Sequence, residues 1–185
     1  MNDRRREGVA KPGRPFLATA EQAVLAFLAR HADREFYDRQ VADETGLSRG
    51  SVNAALRSLA CAGLLHAEQR GRMKFYRASL DDPSVRCFKA LLNVAGLAAL
   101  VKRLSHQTQR IIMFGSAAEG RDLPSSDIDI LVLTNAPDAV RRLLAVRAGR
   151  VQAVVVTPVG LAEMEQRNPA FIAQVKKGIE LWNAR

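Results

Sequence analysis

The 185-residue sequence predicts an α/β (α+β) protein in which two small domains are joined by a helix. Three observations lead there. Residues 16–80 show helical spacing of apolar residues three times over and then a basic hairpin pattern. Residues 81–104 carry apolar side chains over too wide an arc for a helix with one covered side. Residues 105–185 run strand, strand, helix, strand, helix, the order of a small mixed sheet with helices on one face. Ahead of these, residues 1–15 combine Arg4, Arg5 and Arg6 with Gly8, Pro12, Gly13 and Pro15. That is the composition of a disordered basic tail with nothing to bury.

Each N-terminal element has its own signals. Thr19 can cap a helix running to about Ala32, with Ala23, Val24, Phe27 and Leu28 as its buried stripe. A short helix follows Phe36-Tyr37-Asp38, from Arg39 to Thr45, and Gly46 closes it. Ser48 caps a third, in which Val52, Ala55, Leu56 and Leu59 keep the i, i+3, i+4, i+7 spacing of one face. Gly63 ends that helix. Leu64-Leu65 opens a strand, Arg70-Gly71-Arg72 turns, and Lys74-Phe75-Tyr76-Arg77 returns. Between residues 48 and 79 stand Arg49, Arg57, Arg70, Arg72, Lys74 and Arg77 against Glu68 alone. The chain's net charge of +9 is therefore locally sharpened into a footprint suited to a polyanion.

Asp81-Asp82-Pro83 marks a boundary. The helix expected over residues 84–104 presents Val85, Phe88, Leu91, Leu92, Ala95, Leu97, Leu100, Val101 and Leu104, which calls for cover on two sides. It serves as a connector, packed on the second domain and on a partner chain. Cys61 and Cys87 lack a metal-type spacing and sit in apolar surroundings, so both are expected to be buried and reduced. His31, His66 and His106 share no ligand spacing. No apolar run is expected to reach the roughly 18 residues of a membrane span, and no secretory pattern opens the chain. The expectation is a cytoplasmic protein with no membrane partner.

The chemistry concentrates in Phe114–Leu133, FGSAAEGRDLPSSDIDILVL. An apolar strand ends in Gly115-Ser116. Eleven residues beyond Ser116, Asp127 and Asp129 flank Ile128 at the head of a second apolar run. Side chains alternate along a strand, so both aspartates face one way. Two such carboxylates make an oxygen-only site suited to Mg²⁺ or Mn²⁺. A Gly-Ser turn beside them can offer N–H groups and a hydroxyl to a phosphate. Further on, residues 137–147 form an amphipathic helix, Val151–Val156 a buried strand, and Leu161 to Ile179 a helical region. Leu181-Trp182 ends the chain as a short strand or tail.

The order Gly115-Ser116, Gly120, Ser126-Asp127-Ile128-Asp129 resembles the nucleotidyltransferase domain of the DNA polymerase β superfamily, in particular its minimal prokaryotic members. Residues 18–79 in turn resemble a winged helix-turn-helix of bacterial and archaeal regulators. A winged helix ahead of a minimal nucleotidyltransferase is itself similar to a prokaryotic two-domain family. The resemblance implies NTP as substrate and a divalent ion held by Asp127 and Asp129 as the catalytic pair. It also implies a nucleotide-binding set of Gly115, Ser116, Gly120 and Ser126. On the N-terminal side it implies duplex-DNA contacts from Arg49, Ser51, Asn53, Arg57, Arg70, Arg72 and Lys74. A homodimer is expected, since one winged helix covers only a short half-site. Small relatives of this kind act as antitoxins that modify a partner protein, some beside helical toxins of the HEPN class.

Two positions depart from the resemblance. The strand VQAVVV carries Gln152 or Ala153 where active relatives bring a third carboxylate, and Glu163 lies beyond the strand. Glu119 stands where a basic residue is usual, with Lys102, Arg110 and Arg121 as the cations that could compensate. The residues thus support two functions. One is metal-dependent transfer of a nucleoside monophosphate from NTP to a hydroxyl. The other is a DNA-binding regulator whose second domain is catalytically degenerate and senses nucleotide or mediates assembly.

Overall fold

The structure is a computed structural model and describes residues 17–145 and 150–184. The expected tail at 1–15 lies outside these residues, as does the end of the helix expected to reach Arg147. Thr19 caps α1 (Ala20–Arg30) and shares a capping box with Gln22. This satisfies two backbone N–H groups that the first turn leaves open. Phe36–Tyr37 forms a two-residue strand, β1, absent from the sequence expectation. Helix α2 (Asp38–Thr45) ends at Gly46, whose φ of 70° is the left-handed turn a glycine allows. Ser48 caps α3 (Arg49–Cys61), and Val52, Ala55, Leu56 and Leu59 are its buried residues. Strands β2 (Leu65–Arg70) and β3 (Met73–Ala78) form the hairpin, and β1 adds to the far edge of β3 in the antiparallel order β1-β3-β2.

Helix α4 (Pro83–Leu104) begins on Asp82, whose carboxylate accepts from the N–H groups of Ser84 and Val85. It joins the two halves of the chain physically as well as in sequence. Val85 belongs to the core of α1, α3 and the hairpin, while Leu97 and Leu104 belong to the core under the second sheet. Its 18-residue apolar window has a mean hydropathy of 1.5, long and apolar enough to cross a membrane by length and composition. That corrects the expectation that no segment reaches such a length. Only part of this apolar surface is buried by the protein's own elements.

The second sheet has the order β6-β5-β4-β7. Strands β4 (Arg110–Phe114) and β5 (Ile128–Leu133) are antiparallel, with Arg110 opposite Leu133 and Phe114 opposite Asp129. From β5 the chain crosses through α6 (Pro137–Ala145) to β6 (Val151–Val156), which lies parallel to β5. Residues 179–183 form β7, antiparallel to β4, so Leu181-Trp182 belongs to the sheet. The helical region between contains two helices, α7 (Pro158–Arg167) and α8 (Pro169–Lys176), separated at Asn168-Pro169.

Helices cover both faces of this sheet, correcting the expected single face. Ile111, Met113, Ile130 and Val132 pack under α4 and α6 with Leu97, Leu104, Val140 and Leu144. Ile112, Phe114, Leu131 and Val156 pack against Leu161, Met164, Phe171 and Val175 of α7 and α8. Strands apolar at every position need cover on two sides. The cysteine expectation fails as to burial, since Cys61 and Cys87 are both exposed, while both are free thiols.

Gly120 is the tightest joint between α4 and the sheet. Its φ is +66°, and a Cβ placed there would lie 2.7 Å from the carbonyl carbon of Arg86 and closer still to its oxygen. Gly71 at the hairpin tip has a similar φ of +61° but open space around it. Gly120→Ala should therefore cost on the order of 3 kcal/mol, since backbone must move, and Gly71→Ala about 1 kcal/mol from φ alone. Urea denaturation of the two variants checks this. Equal losses would show that α4 does not rest on Gly120.

Candidate active site

Strand β4 delivers its last residue, Phe114, opposite Asp129, and the chain then turns sharply at Gly115. Gly115 has a φ of +67°, and a Cβ there would come within 3.1 Å of Asp129 Oδ2. The glycine is needed for its backbone angle and because the carboxylate already occupies the space. One helical turn, α5 (Gly115–Ala118), follows, with Gly115 and Ala117 buried and Ser116 half-buried. The expected Gly-Ser turn is thus present as a short helical turn directly beside Asp129.

Asp129 feels both its burial and its neighbour Asp127. Burial first, and the charge of Asp127 second, push the Asp129 carboxyl above its ordinary range. Asp129 is half-buried and Asp127 exposed. Such a pair is poised for a cation, which would relieve both the desolvation and the repulsion. Across the parallel strand pair, Asp129 stands in register with Gln152, which is exposed. The neighbour on β6 is therefore an uncharged amide. Among the described residues no group of three His, Cys, Asp or Glu could hold a metal ion. The donor set fits a divalent ion bound by two carboxylates and completed by a ligand's own oxygens.

Several of the remaining expected residues have structural partners. Ser126 Oγ accepts from the Leu123 N–H at 2.9 Å, and the Ser126 N–H donates to the Leu123 carbonyl at 2.9 Å, closing the turn before Asp127. Gly120 faces α4. Arg110 pairs with Glu180 at the opposite end of β4, so it does not neutralise Glu119. Arg121 lies 4.0 Å from Glu119. Lys102 and Glu163 are exposed on their helices.

Residues behind the loop were missed from the sequence. Lys89 of α4 is 1% exposed. Its ammonium donates to the Asp122 carbonyl and lies 3.6 Å from the Asp122 carboxylate. Burial pushes the Lys89 ammonium below its usual range, against the opposing pull of Asp122. Asn93 donates to the Ala117 carbonyl at 3.0 Å and to Asp122 Oδ1 at 2.9 Å. Together they fasten the segment after Ser116 to α4. On the other side Arg150 donates to the Pro124 carbonyl, and the Ile128 N–H donates to the Arg150 carbonyl at 2.7 Å. The only sequence signal was a lysine and an asparagine set within an otherwise apolar helical arc.

The basic residues of the N-terminal half divide into two groups. Asp38 holds Arg49 at 3.6 Å and accepts from Asn53 at 3.2 Å. Ser51 shares a hydrogen bond with Ser48 at 2.9 Å. Arg70 pairs with Glu68 at 2.6 Å and Glu35 at 2.7 Å, which raise its guanidinium above its ordinary range. Lys74 lies over the Tyr76 ring. Arg57 and Arg72 are exposed and have no carboxylate partner among the described residues.

Residues 96–180 match the nucleotidyltransferase domain family. The match supports nucleotidyl transfer as the general class of function, and such domains generally use an NTP and divalent metal ions. Among solved structures, a Sulfolobus solfataricus protein described as a candidate nucleotidyltransferase is similar at 22% identity and a TM-score of 0.34, covering 51% of this chain and 87% of its own. A second structure, from a study of the DNA recognition and protein interaction domains of HOP2, is 28% identical with a TM-score of 0.30. It covers 32% of this chain and 98% of its own. Comparison with curated proteins returns no match.

Proposed function

We propose that residues 105–185 transfer a nucleoside monophosphate from an NTP to a hydroxyl, and that residues 16–80 form a winged helix-turn-helix that carries this domain on duplex DNA. The connecting segment, residues 81–104, couples the two. The observation that carries the catalytic reading is the acid pair at the mouth of the Gly115 turn. Asp129 is held partly buried beside Asp127 although burial, and then the charge of Asp127, resist its ionisation. Sequences keep such costs where a ligand repays them.

In this reading Asp127 and Asp129 hold Mg²⁺ or Mn²⁺, which when bound neutralises charge on the phosphate oxygens. The N–H groups and hydroxyl of Gly115-Ser116 orient the triphosphate, while Gly120 and Ser126 shape the loop that presents them. The acceptor oxygen bonds to the α-phosphorus, the bond from that phosphorus to the bridging oxygen breaks, and pyrophosphate leaves with the electron pair. Most of the catalysis is positioning and charge stabilisation. The acceptor's proton passes to water or to a group on the acceptor, because Gln152, the neighbour of Asp129, is no base. A hydroxyl on a partner protein, including a helical toxin of the HEPN class, suits a domain with so little substrate-binding surface of its own.

A second reading keeps the DNA-binding half and treats the acid pair as a nucleotide sensor. The uncharged Gln152 beside Asp129 favours it. Both readings require nucleotide at the acid pair. Calorimetry should show Mg²⁺-dependent NTP binding in the wild type and none in the double variant Asp127→Ala, Asp129→Ala. Unchanged affinity in the folded variant would remove the site.

The DNA contacts are graded by the ion pairs already described. Arg57 and Arg72 are unencumbered, whereas Arg70, Arg49 and Asn53 must leave carboxylates before they meet DNA. The pair Arg57→Ala, Arg72→Ala should weaken duplex binding and lower the slope of log K against log salt by about 2. Arg70→Ala should change the slope by less. A larger loss from Arg70→Ala, or an unchanged slope in the double variant, would move the DNA surface elsewhere.

A further inference from the structure

Helix α4 leaves a long apolar strip uncovered. Cys87, Leu91, Val94, Ala98, Val101 and Ser105 follow one another at spacings of four, three, four, three and four. That is the seam of a two-helix coiled coil. It spans about 27 Å of helix at 1.5 Å per residue. Cys87, Leu91 and Ala98 are exposed, and the other three are half-buried. Two shallow grooves line the strip and meet at Val94. One, about 570 Å³, runs along the first half of the helix and includes Glu119. The other, about 340 Å³, runs along the second half with Lys102, Leu181 and Trp182.

We propose that this strip binds a second copy of the chain, with the two α4 helices antiparallel about a twofold axis. The seam is symmetric under that operation. With the axis level with residue 96, Cys87 meets the second copy's Ser105, Leu91 its Val101, and Val94 its Ala98. All six positions then find a partner, with the small pair Val94 and Ala98 at the crossing. Charge follows the same symmetry. Glu119, which shares its groove with Arg86, lies against Lys102 of the second copy, twice over, as an isologous interface requires. A parallel arrangement would set Lys102 against Lys102 and Glu119 against Glu119. Self-association would also bury the apolar surface that gives α4 its hydropathy, and it would set two copies of the N-terminal domain on one axis.

The orientation can be read with disulfides on the full-length protein. In a Cys61→Ser background, Cys87 of one copy lies some 18 residues of helix away from Cys87 of the other, so oxidation should yield monomer on a non-reducing gel. Adding Ser105→Cys places a sulfur opposite Cys87 at both ends, and oxidation should then convert most of the protein to covalent dimer. Sedimentation should give a dimer for the wild type. Ala98→Glu, on an exposed position that spares the fold, should give a monomer with unchanged circular dichroism. Efficient cross-linking through Cys87 alone would establish the parallel arrangement and overturn the proposal. So would a monomeric wild type, or a dimer indifferent to Ala98→Glu.

Discussion

The site depends on the contact between the Gly115 turn and the Asp129 carboxylate. β4 and β5 are paired so that Phe114 lies opposite Asp129, and the chain leaving Phe114 must bend back at once or run into solvent. Only a residue without a side chain can make that bend, because Asp129 Oδ2 already fills the space. The result sets the Gly115 backbone against the Asp129 carboxylate, with Asp127 close enough to repel it. It also sets a cost. Asp129 is partly removed from water and faces Asp127, and both effects resist its ionisation.

Helix α4 keeps the loop from relaxing away from that cost. Lys89, Asn93 and the backbone around Arg86 hold Asp122, Ala117 and Gly120 from behind. Breaking a buried pair such as Lys89 and Asp122 costs about 3–5 kcal/mol, because one charge is left without a partner. The same helix contributes Val85 to the N-terminal core. One helix thus contacts both the N-terminal core and the segment that follows the Gly-Ser turn.

Much of this was legible in the residues. Thr19, Ser48, Asp82, Gly46 and Gly63 announced helix ends because capping and left-handed turns depend on local chemistry alone. The strand that carries Asp129 was legible from its apolar run, and the register does set Gln152 beside Asp129, whereas Asp127 lies just ahead of β5. What escaped depends on contacts distant in sequence. β1 has two residues and exists because β3 offers it an edge. α7 and α8 carry apolar residues that fit either face of a sheet, so their position behind β4 and β5 could not be read from periodicity. Cys61 and Cys87 have apolar neighbours in sequence but lie on exposed helix faces. Lys89 carries no local signal of burial, because its partner Asp122 lies 33 residues on.

In the proposed function, Asp129 is kept at the expense of stability for a ligand. Its folded-state carboxyl titrates above the unfolded one, so its contribution to stability is fully present below the unfolded carboxylate range. That contribution is lost as pH rises through the folded value. At neutral pH the ionised Asp129 is therefore a liability. Thermal melts of wild type and Asp129→Asn from acid to neutral pH, with and without Mg²⁺ and NTP, measure this directly. The variant should melt higher than wild type at neutral pH, the gap should close in acid, and Mg²⁺ with NTP should raise only the wild type. A variant that melts lower at neutral pH, or that gains equally from Mg²⁺ and NTP, would contradict the account.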